Sequence, residues 1–375
     1  MITNKRILVY LNVLQFTILG SLISRNHVLQ KWMGLDYYEF SKVMLFFSIG
    51  AVISNIISSY ILNMFNNRYV LYVTFILSSS TLILFYQKPT FIFLCLYWTV
   101  ISFSFSLNFV LLISQATTYE SLYKQNWISY FQSLSGLGAI IGFSLGIIAN
   151  YFNLILDIYF PALGIFVFLN IYIISKYNPY QKIDSAKKST LNLNFNLLAF
   201  SLINFLLILS VSQIIVWSGI LLRDEFNVSD YISTYGALLF IVFESISRFF
   251  GDEIFEKINL KNTLLVSSAF TSFFFILIYF LHNLIIIILL CLLIGLFSGL
   301  IQPAVIKLTS KLNSNTEVNL SFLFLFQSFA FLIGPAYSGY VAQKYGIYDI
   351  YIYSSIFTIF IFFLTLMIKN VKALN

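Results

Sequence analysis

Twelve apolar stretches, each about 20 residues long, dominate this chain, and that is the length a helix needs to cross the hydrocarbon of a bilayer. They fall at about residues 7–24, 40–63, 69–86, 91–117, 127–150, 158–175, 196–221, 231–251, 263–281, 284–308, 319–342 and 349–368. Charged residues make up 9% of the chain and hydrophobic ones 59%, with a mean hydropathy of +0.89. A soluble domain carries roughly 25% charged residues. The sequence therefore predicts an all-α membrane protein with 12 transmembrane helices and no soluble domain. The first stretch has no small-residue cleavage site and eleven more follow it, so it reads as a helix and not as a removed signal.

The net charge of +7 does not require a nucleic-acid partner. Of the 21 Lys and Arg residues, only Arg25, Lys31, Lys42, Lys88, Arg223 and Lys344 fall on one side of the spans; the rest fall on the other. Lys and Arg collect in cytoplasmic loops, so the bias places both termini in the cytoplasm and accounts for the basic balance. Cys95 and Cys291 lie inside spans and read as small core residues, not as a disulfide or a metal pair.

The chain repeats itself. Residues 33–73 align without a gap on residues 226–266, a shift of 193 that sets Phe65-Asn66-Asn67-Arg68 against Ile258-Asn259-Leu260-Lys261 and Leu71 against Leu264. Phe131-Gln132-Ser133 recurs as Phe326-Gln327-Ser328, a shift of 195. The expected organisation is two six-helix pseudo-repeats, residues 1–176 and 195–375, joined by a cytoplasmic linker at 177–194. Six spans per half give both halves the same orientation, a parallel repeat.

This layout resembles the major facilitator superfamily, whose signature, a Gly-x-x-x-Asp-Arg-x-Gly-Arg-Arg-like run, lies between spans two and three. Here the run reads from Ser59 to Arg68; its acid is missing and Asn66 stands at the turn glycine. Asn tolerates a left-handed conformation better than other non-glycine residues, so the turn is expected to survive. Three stretches are similar to the MosC-like branch of bacterial inner-membrane permeases. Ser114-Gln115-Ala116 followed by YESLYKQNWISYFQSLSGLGAIIG resembles its NAQAVEVE and MSSFHALFSLGG block; VWSGILLRDEF resembles DWSALYLRD; SRFFGD resembles GRLLGD. The chain departs from that pattern where Gln132 replaces a histidine, where Gln213 to Val216 lack acidic residues, and at Glu244, which has no counterpart. The resemblance implies a secondary transporter of the inner membrane that works by alternating access, with spans one, four, seven and ten lining a central cavity and five, eight and eleven contributing.

Glu244, Arg248 and Asp252 follow at four-residue spacing on one helix face. Arg cannot shed its proton, so inside a bundle it needs carboxylates, and two are in reach. Arg248 and Asp252, with Gly251 between them for a close helix approach and Arg68 in the first copy, read as a gate clamp. Glu244 lies a turn deeper and is the candidate coupling residue: paired with Arg248 it stays ionised, and it takes a proton only where the pair breaks. Asn12 and Gln15 (span one), Asn108 and Gln115 (four), Gln132 (five), Gln213 and Trp217 (seven), Gln302 (ten) and Gln327 (eleven) are the candidate substrate-cavity residues. A single buried amide reads best as interhelical glue; the set reads as a polar path for a neutral or weakly charged solute. Trp217 could stack on a ring or anchor at an interface. Gly138, Gly142 and Gly146 read as a close-packing face, and Gln302-Pro303 and Gly334-Pro335 as bends.

A membrane enzyme is disfavoured, since His27 and His282 fall in short outside loops without ligating companions and no G-x-S-x-G or H-E-x-x-H run occurs. An uncoupled facilitator shares every feature except the role of Glu244. No cofactor, metal or nucleic acid is expected; the expected partners are a small-molecule substrate, the lipid bilayer and protons, and the expected working form is a monomer.

Overall fold

A computed structural model describes residues 2–123, 128–180, 194–312 and 316–368. Twelve of its helices are long and apolar enough to cross a membrane. Numbered in chain order, spans one to six are Asn4–Ile23, Tyr37–Ser58, Asn67–Tyr86, Phe91–Ala116, Ser133–Tyr151 and Leu156–Ile174. Spans seven to twelve are Phe195–Phe226, Asp230–Phe249, Leu260–Phe280, Leu284–Ser310, Phe322–Lys344 and Asp349–Met367. Each overlaps the stretch expected from apolar length, because that length is a local property that tertiary packing does not override. Two short helices, Asn26–Met33 and Gly251–Ile258, flank the spans. His27 lies in the first of them and is buried, not in an open loop.

The chain divides into two compact units, Met1–Ser185 and Ala186–Asn375. In the first, the most extensive packing is span one on five, two on four and three on six. In the second it is seven on eleven, eight on ten and nine on twelve. The pairs match one for one, as a duplication requires. Side-chain contacts repeat as well. Ser102 donates to the Phe47 carbonyl, and 193 residues on, Gly295 lies against the Phe240 carbonyl. Ser106 lies at 3.5 Å from the Ala51 carbonyl, and 193 residues on, a Cβ on Gly299 would stand 2.8 Å from the Glu244 carbonyl.

Spans one and five pack through glycine. A Cβ on Gly138 would stand 2.5 Å from the Val13 carbonyl oxygen, and Gly20, Gly142 and Gly146 are as tightly covered by the facing helix. Without a hydrophobic drive between helices in lipid, such backbone approach is a main source of association. Gly251 does not behave this way. The nearest atoms to a Cβ there are in Phe255 and Leu300, at 3.5 to 3.7 Å, so the close approach expected at Gly251 belongs instead to Gly295 and Gly299 on span ten. Gly251 opens the short helix after span eight.

The turn asparagines also part company. Asn66 has φ −62° and caps span three by accepting from the Arg68 amide, so no left-handed residue is needed there. Asn259 has φ +59° and accepts from the Asn262 amide, combining the left-handed turn with the cap. Span ten breaks at Gly299 and Leu300, ahead of Pro303, which sits in the first turn of the resumed helix Ile301–Ser310, where proline costs no hydrogen bond. Pro335 lies inside span eleven.

Candidate functional site

In the second unit, four helices supply a continuous polar ladder. Arg248 Nη2 donates to Glu244 Oε1 at 2.7 Å within span eight, and to Gln302 Oε1 of span ten at 3.3 Å. Gln302 Nε2 donates to Gln327 Oε1 of span eleven at 3.1 Å. Asn204 Nδ2 of span seven donates to the same Gln327 oxygen at 3.2 Å and faces the Leu323 carbonyl at 3.5 Å. The Glu244 side chain is 15% exposed and that of Arg248 is 40% exposed. The arginine is therefore the open member of the pair, and its carboxylate partner is largely closed in. The second partner of Arg248 is an amide; the side chain of Asp252 lies outside the described residues.

The first unit holds the same clasp in simpler form. Asn12 Nδ2 donates to the Phe131 carbonyl and to Ser135 Oγ, each at 3.0 Å. Asn204, Leu323 and Gln327 each lie 192 residues beyond Asn12, Phe131 and Ser135. Gln327 is thus the structural partner of Ser135 and not of Gln132, and the sequence match at 195 is three residues out of register. Three residues are close to one helical turn, so the slipped match still lands on the same face. The side chain of Gln132 lies outside the described residues. Where the first clasp stops at a serine, the second has a glutamine long enough to reach span ten. Glu244 and Arg248 correspond to Ala51 and Asn55, and Asn55 accepts from Ser106 at 2.8 Å.

Most other sequence candidates are engaged within their own unit. Asn108 Oδ1 accepts from Thr74 at 2.5 Å. Gln213 Nε2 returns to the Leu209 carbonyl at 2.8 Å. Trp217 is fully buried and its Nε1 donates to Ser338 at 3.0 Å, so the ring is a core element between spans seven and eleven, not an interfacial anchor. Gln15 stands apart. It is 2% exposed, and neither atom of its carboxamide has a partner.

Gln115 and Arg68 do a different job from the one their positions suggested. Gln115 Oε1 accepts from the Tyr177 hydroxyl at 2.9 Å and the Tyr180 amide at 2.7 Å, and its Nε2 donates to the Tyr180 carbonyl at 3.3 Å. Arg68 Nε donates to the Tyr177 carbonyl at 2.5 Å and its Nη2 to the Asn178 side chain. Asn4 adds a bond to the Asn178 carbonyl at 2.9 Å. These three residues fasten the segment that leaves span six. Lys261, the repeat partner of Arg68, likewise donates to the Ile368 carbonyl at 2.8 Å beyond span twelve. A cation suits the carbonyl-rich C-terminus of a helix. Burial pushes the Tyr177 hydroxyl well above its ordinary range and raises that of Tyr180 to about 12, with the nearby Tyr123 and Tyr119 adding to the latter.

Four residues with these roles escaped the sequence reading: Asn204, Ser135, Tyr177 and Arg25. The sequence offsets of 193 and 195 carry Asn12 to Phe205 and Leu207, so Asn204 emerges only from the structural offset of 192. Arg25 is almost fully buried, donates to Asn150 Oδ1 at 2.5 Å and lies over the Tyr159 ring at 5.0 Å.

The duplicated six-helix units and their paired packing have counterparts among known proteins. Residues 7–318 match the profile of the Major Facilitator Superfamily. The chain belongs to the major facilitator superfamily. Membrane protein MosC of Rhizobium meliloti is 22% identical over 319 residues, covering 82% of this chain and 76% of MosC. Among solved structures, a variant of the nucleoside transporter NupG superposes with a TM-score of 0.79 at 14% identity, covering 96% of this chain and 98% of the other. A bacterial homologue of the human lysosomal transporter Spinster, inward-facing and occupied, gives 0.73 at 10% identity, covering 96% and 95%. At those identities the structural likeness speaks to the fold. A chain with this superfamily's fold and twelve spanning helices is a multi-pass membrane transporter. Among the described residues, the charged ladder lies in the second unit.

Proposed function

We propose that this chain is a secondary active transporter. It carries a small, neutral or weakly charged polar solute across a bacterial inner membrane by alternating access. Both termini face the cytoplasm, residues 177–194 join the two six-helix halves, and the monomer is the working form. The chemistry is transport and not bond-making. The observation that supports this reading most is the ladder from Glu244 to Asn204. It places an ion pair, two glutamines and an asparagine in one connected path across four spans, at the expense of apolar packing. Polar groups in a membrane interior cost several kcal/mol unless satisfied, which is why ionisable ones so often mark transport paths.

Glu244 is the coupling carboxylate in this reading. It is ion-paired with Arg248 at 2.7 Å, and its role in coupling begins where that pair opens. Arg248 and Asp252 act at the gate, and Gln15, buried with both carboxamide atoms uncommitted, becomes the first-unit contact for solute when alternating access opens the spans around it. An uncoupled facilitator is the second reading. The first unit favours it, since Ala51 and Asn55 stand where the second has its charges.

The test is an uptake panel of neutral polar solutes in proteoliposomes, with nucleosides included because NupG is a nucleoside transporter. The proposal expects at least one saturable solute whose uptake falls at least tenfold in Gln15→Leu. A panel with no protein-dependent flux would count against transport of this solute class.

A further inference from the structure

The ladder has a direction, and the direction selects a ligand chemistry. An arginine guanidinium has five N–H donors and no acceptor. Gln302 must therefore turn Oε1 toward Arg248, as the 3.3 Å contact shows, and that leaves its Nε2 to face Gln327. Gln327 must answer with Oε1, which also receives Asn204 Nδ2 at 3.2 Å. Among the described residues, Gln327 Nε2 is left without a partner, and so are Nε and Nη1 of Arg248. Gln302 and Gln327 are half-buried and Arg248 is exposed, so these donors are reachable. The acceptors are not reachable in the same way. Asn204 Oδ1 has no partner but is fully closed off, and the Glu244 carboxylate is 15% exposed and already paired.

We propose that Arg248 and Gln327 form a subsite for a hydrogen-bond acceptor on the solute, a carbonyl or carboxylate oxygen, and that Gln302 sets its polarity. This rests on the reading of the interior polar groups as a solute path. Arg248 Nη1 offers donors to an oxygen acceptor, and Gln327 Nε2 adds a donor from another helix. Gln302 is a positioning residue: it transmits the donor-only character of the arginine to Gln327 and so decides which end of that amide faces the solute.

A single near-isosteric change inverts the device. In Gln302→Glu, residue 302 offers acceptors on both sides. Gln327 must then turn its Nε2 inward to the new carboxylate and present Oε1 outward. The experiment is thermal stabilisation of the purified full-length chain by three ring probes: benzoate (anionic acceptor), N,N-dimethylbenzamide (neutral acceptor without N–H) and indole (neutral N–H donor). Comparing variant with wild type cancels partition of the probes into detergent.

Wild type is expected to be stabilised by one or both acceptor probes and not by indole. Benzoate alone identifies a carboxylate subsite, and dimethylbenzamide alone or equally identifies a carbonyl one. Gln302→Glu should weaken the acceptor response about tenfold and gain an indole response, while Gln327→Leu should lose the acceptor response without gaining indole. Indole matching the acceptors in wild type, an unchanged order in Gln302→Glu, or no response to any probe would each overturn the subsite. Flux in the uptake panel together with the wrong probe order rejects the subsite and keeps the transporter reading. The right order with no flux does the reverse.

Discussion

Placing a methyl group on Gly138 tests the packing of the first unit directly. A Cβ there would stand 2.5 Å from the Val13 carbonyl oxygen, 3.0 Å from Phe16 Cβ and 3.1 Å from Val13 Cα. Ordinary contact begins near 3.4 Å, so spans one and five must separate by about 0.9 Å or bend. Two of the three obstacles are backbone, which no rotamer change can move. Overpacking of this kind costs about 1–3 kcal/mol. Replacing a mid-helix glycine by alanine returns up to about 1 kcal/mol of propensity. The net loss for Gly138→Ala is about 1–2 kcal/mol, which lowers the melting temperature of a unit this size by about 2–8 °C. Gly251→Ala is the control. Its Cβ would meet nothing closer than 3.5 Å, so the melting temperature should hold or rise slightly. Thermal unfolding of both purified variants decides the matter. If Gly138→Ala melts with wild type, or Gly251→Ala falls as far, the packing argument is wrong.

Arg68→Ala should free the segment after span six, because it removes the donors to the Tyr177 carbonyl and the Asn178 side chain; amide exchange at residues 175–180 should speed up at least tenfold while spans one to five stay protected. Lys261→Ala should do the same beyond span twelve, where Ile368 loses its donor. Tyr180, whose pKa is raised to about 12, favours the folded state below the ordinary phenol value near 10. That contribution should fade as pH rises from about 10 through 12, and Tyr180→Phe should flatten the alkaline fall in melting temperature.

The spans were legible because apolar length is written in one dimension, and the Gly138, Gly142, Gly146 run because four-residue spacing defines a helix face without reference to any partner. The Glu244–Arg248 pair was legible for the same reason. What the sequence hid were partners brought together by tertiary packing. Asn204 meets Gln327 across 123 residues, Gln115 meets Tyr180 across 65, and Arg68 meets Tyr177 across 109. Read alone, Gln115 and Arg68 looked like a cavity amide and a gate cation. Their hydrogen bonds assign both to the exit of span six. Gly251 misled because a motif resemblance stood in for a contact, and the contact lies on Gly295 and Gly299 instead.

Coupling of transport to protons turns on one carboxylate, that of Glu244. Glu244→Gln keeps the shape and the hydrogen bond to Arg248 but cannot exchange a proton. For the solute that the uptake panel selects, accumulation in proteoliposomes should be measured with and without an imposed pH gradient in wild type and in this variant. Wild type should show gradient-driven accumulation, and Glu244→Gln only equilibration to equal concentrations. Accumulation of the same height in the variant would contradict coupling through Glu244.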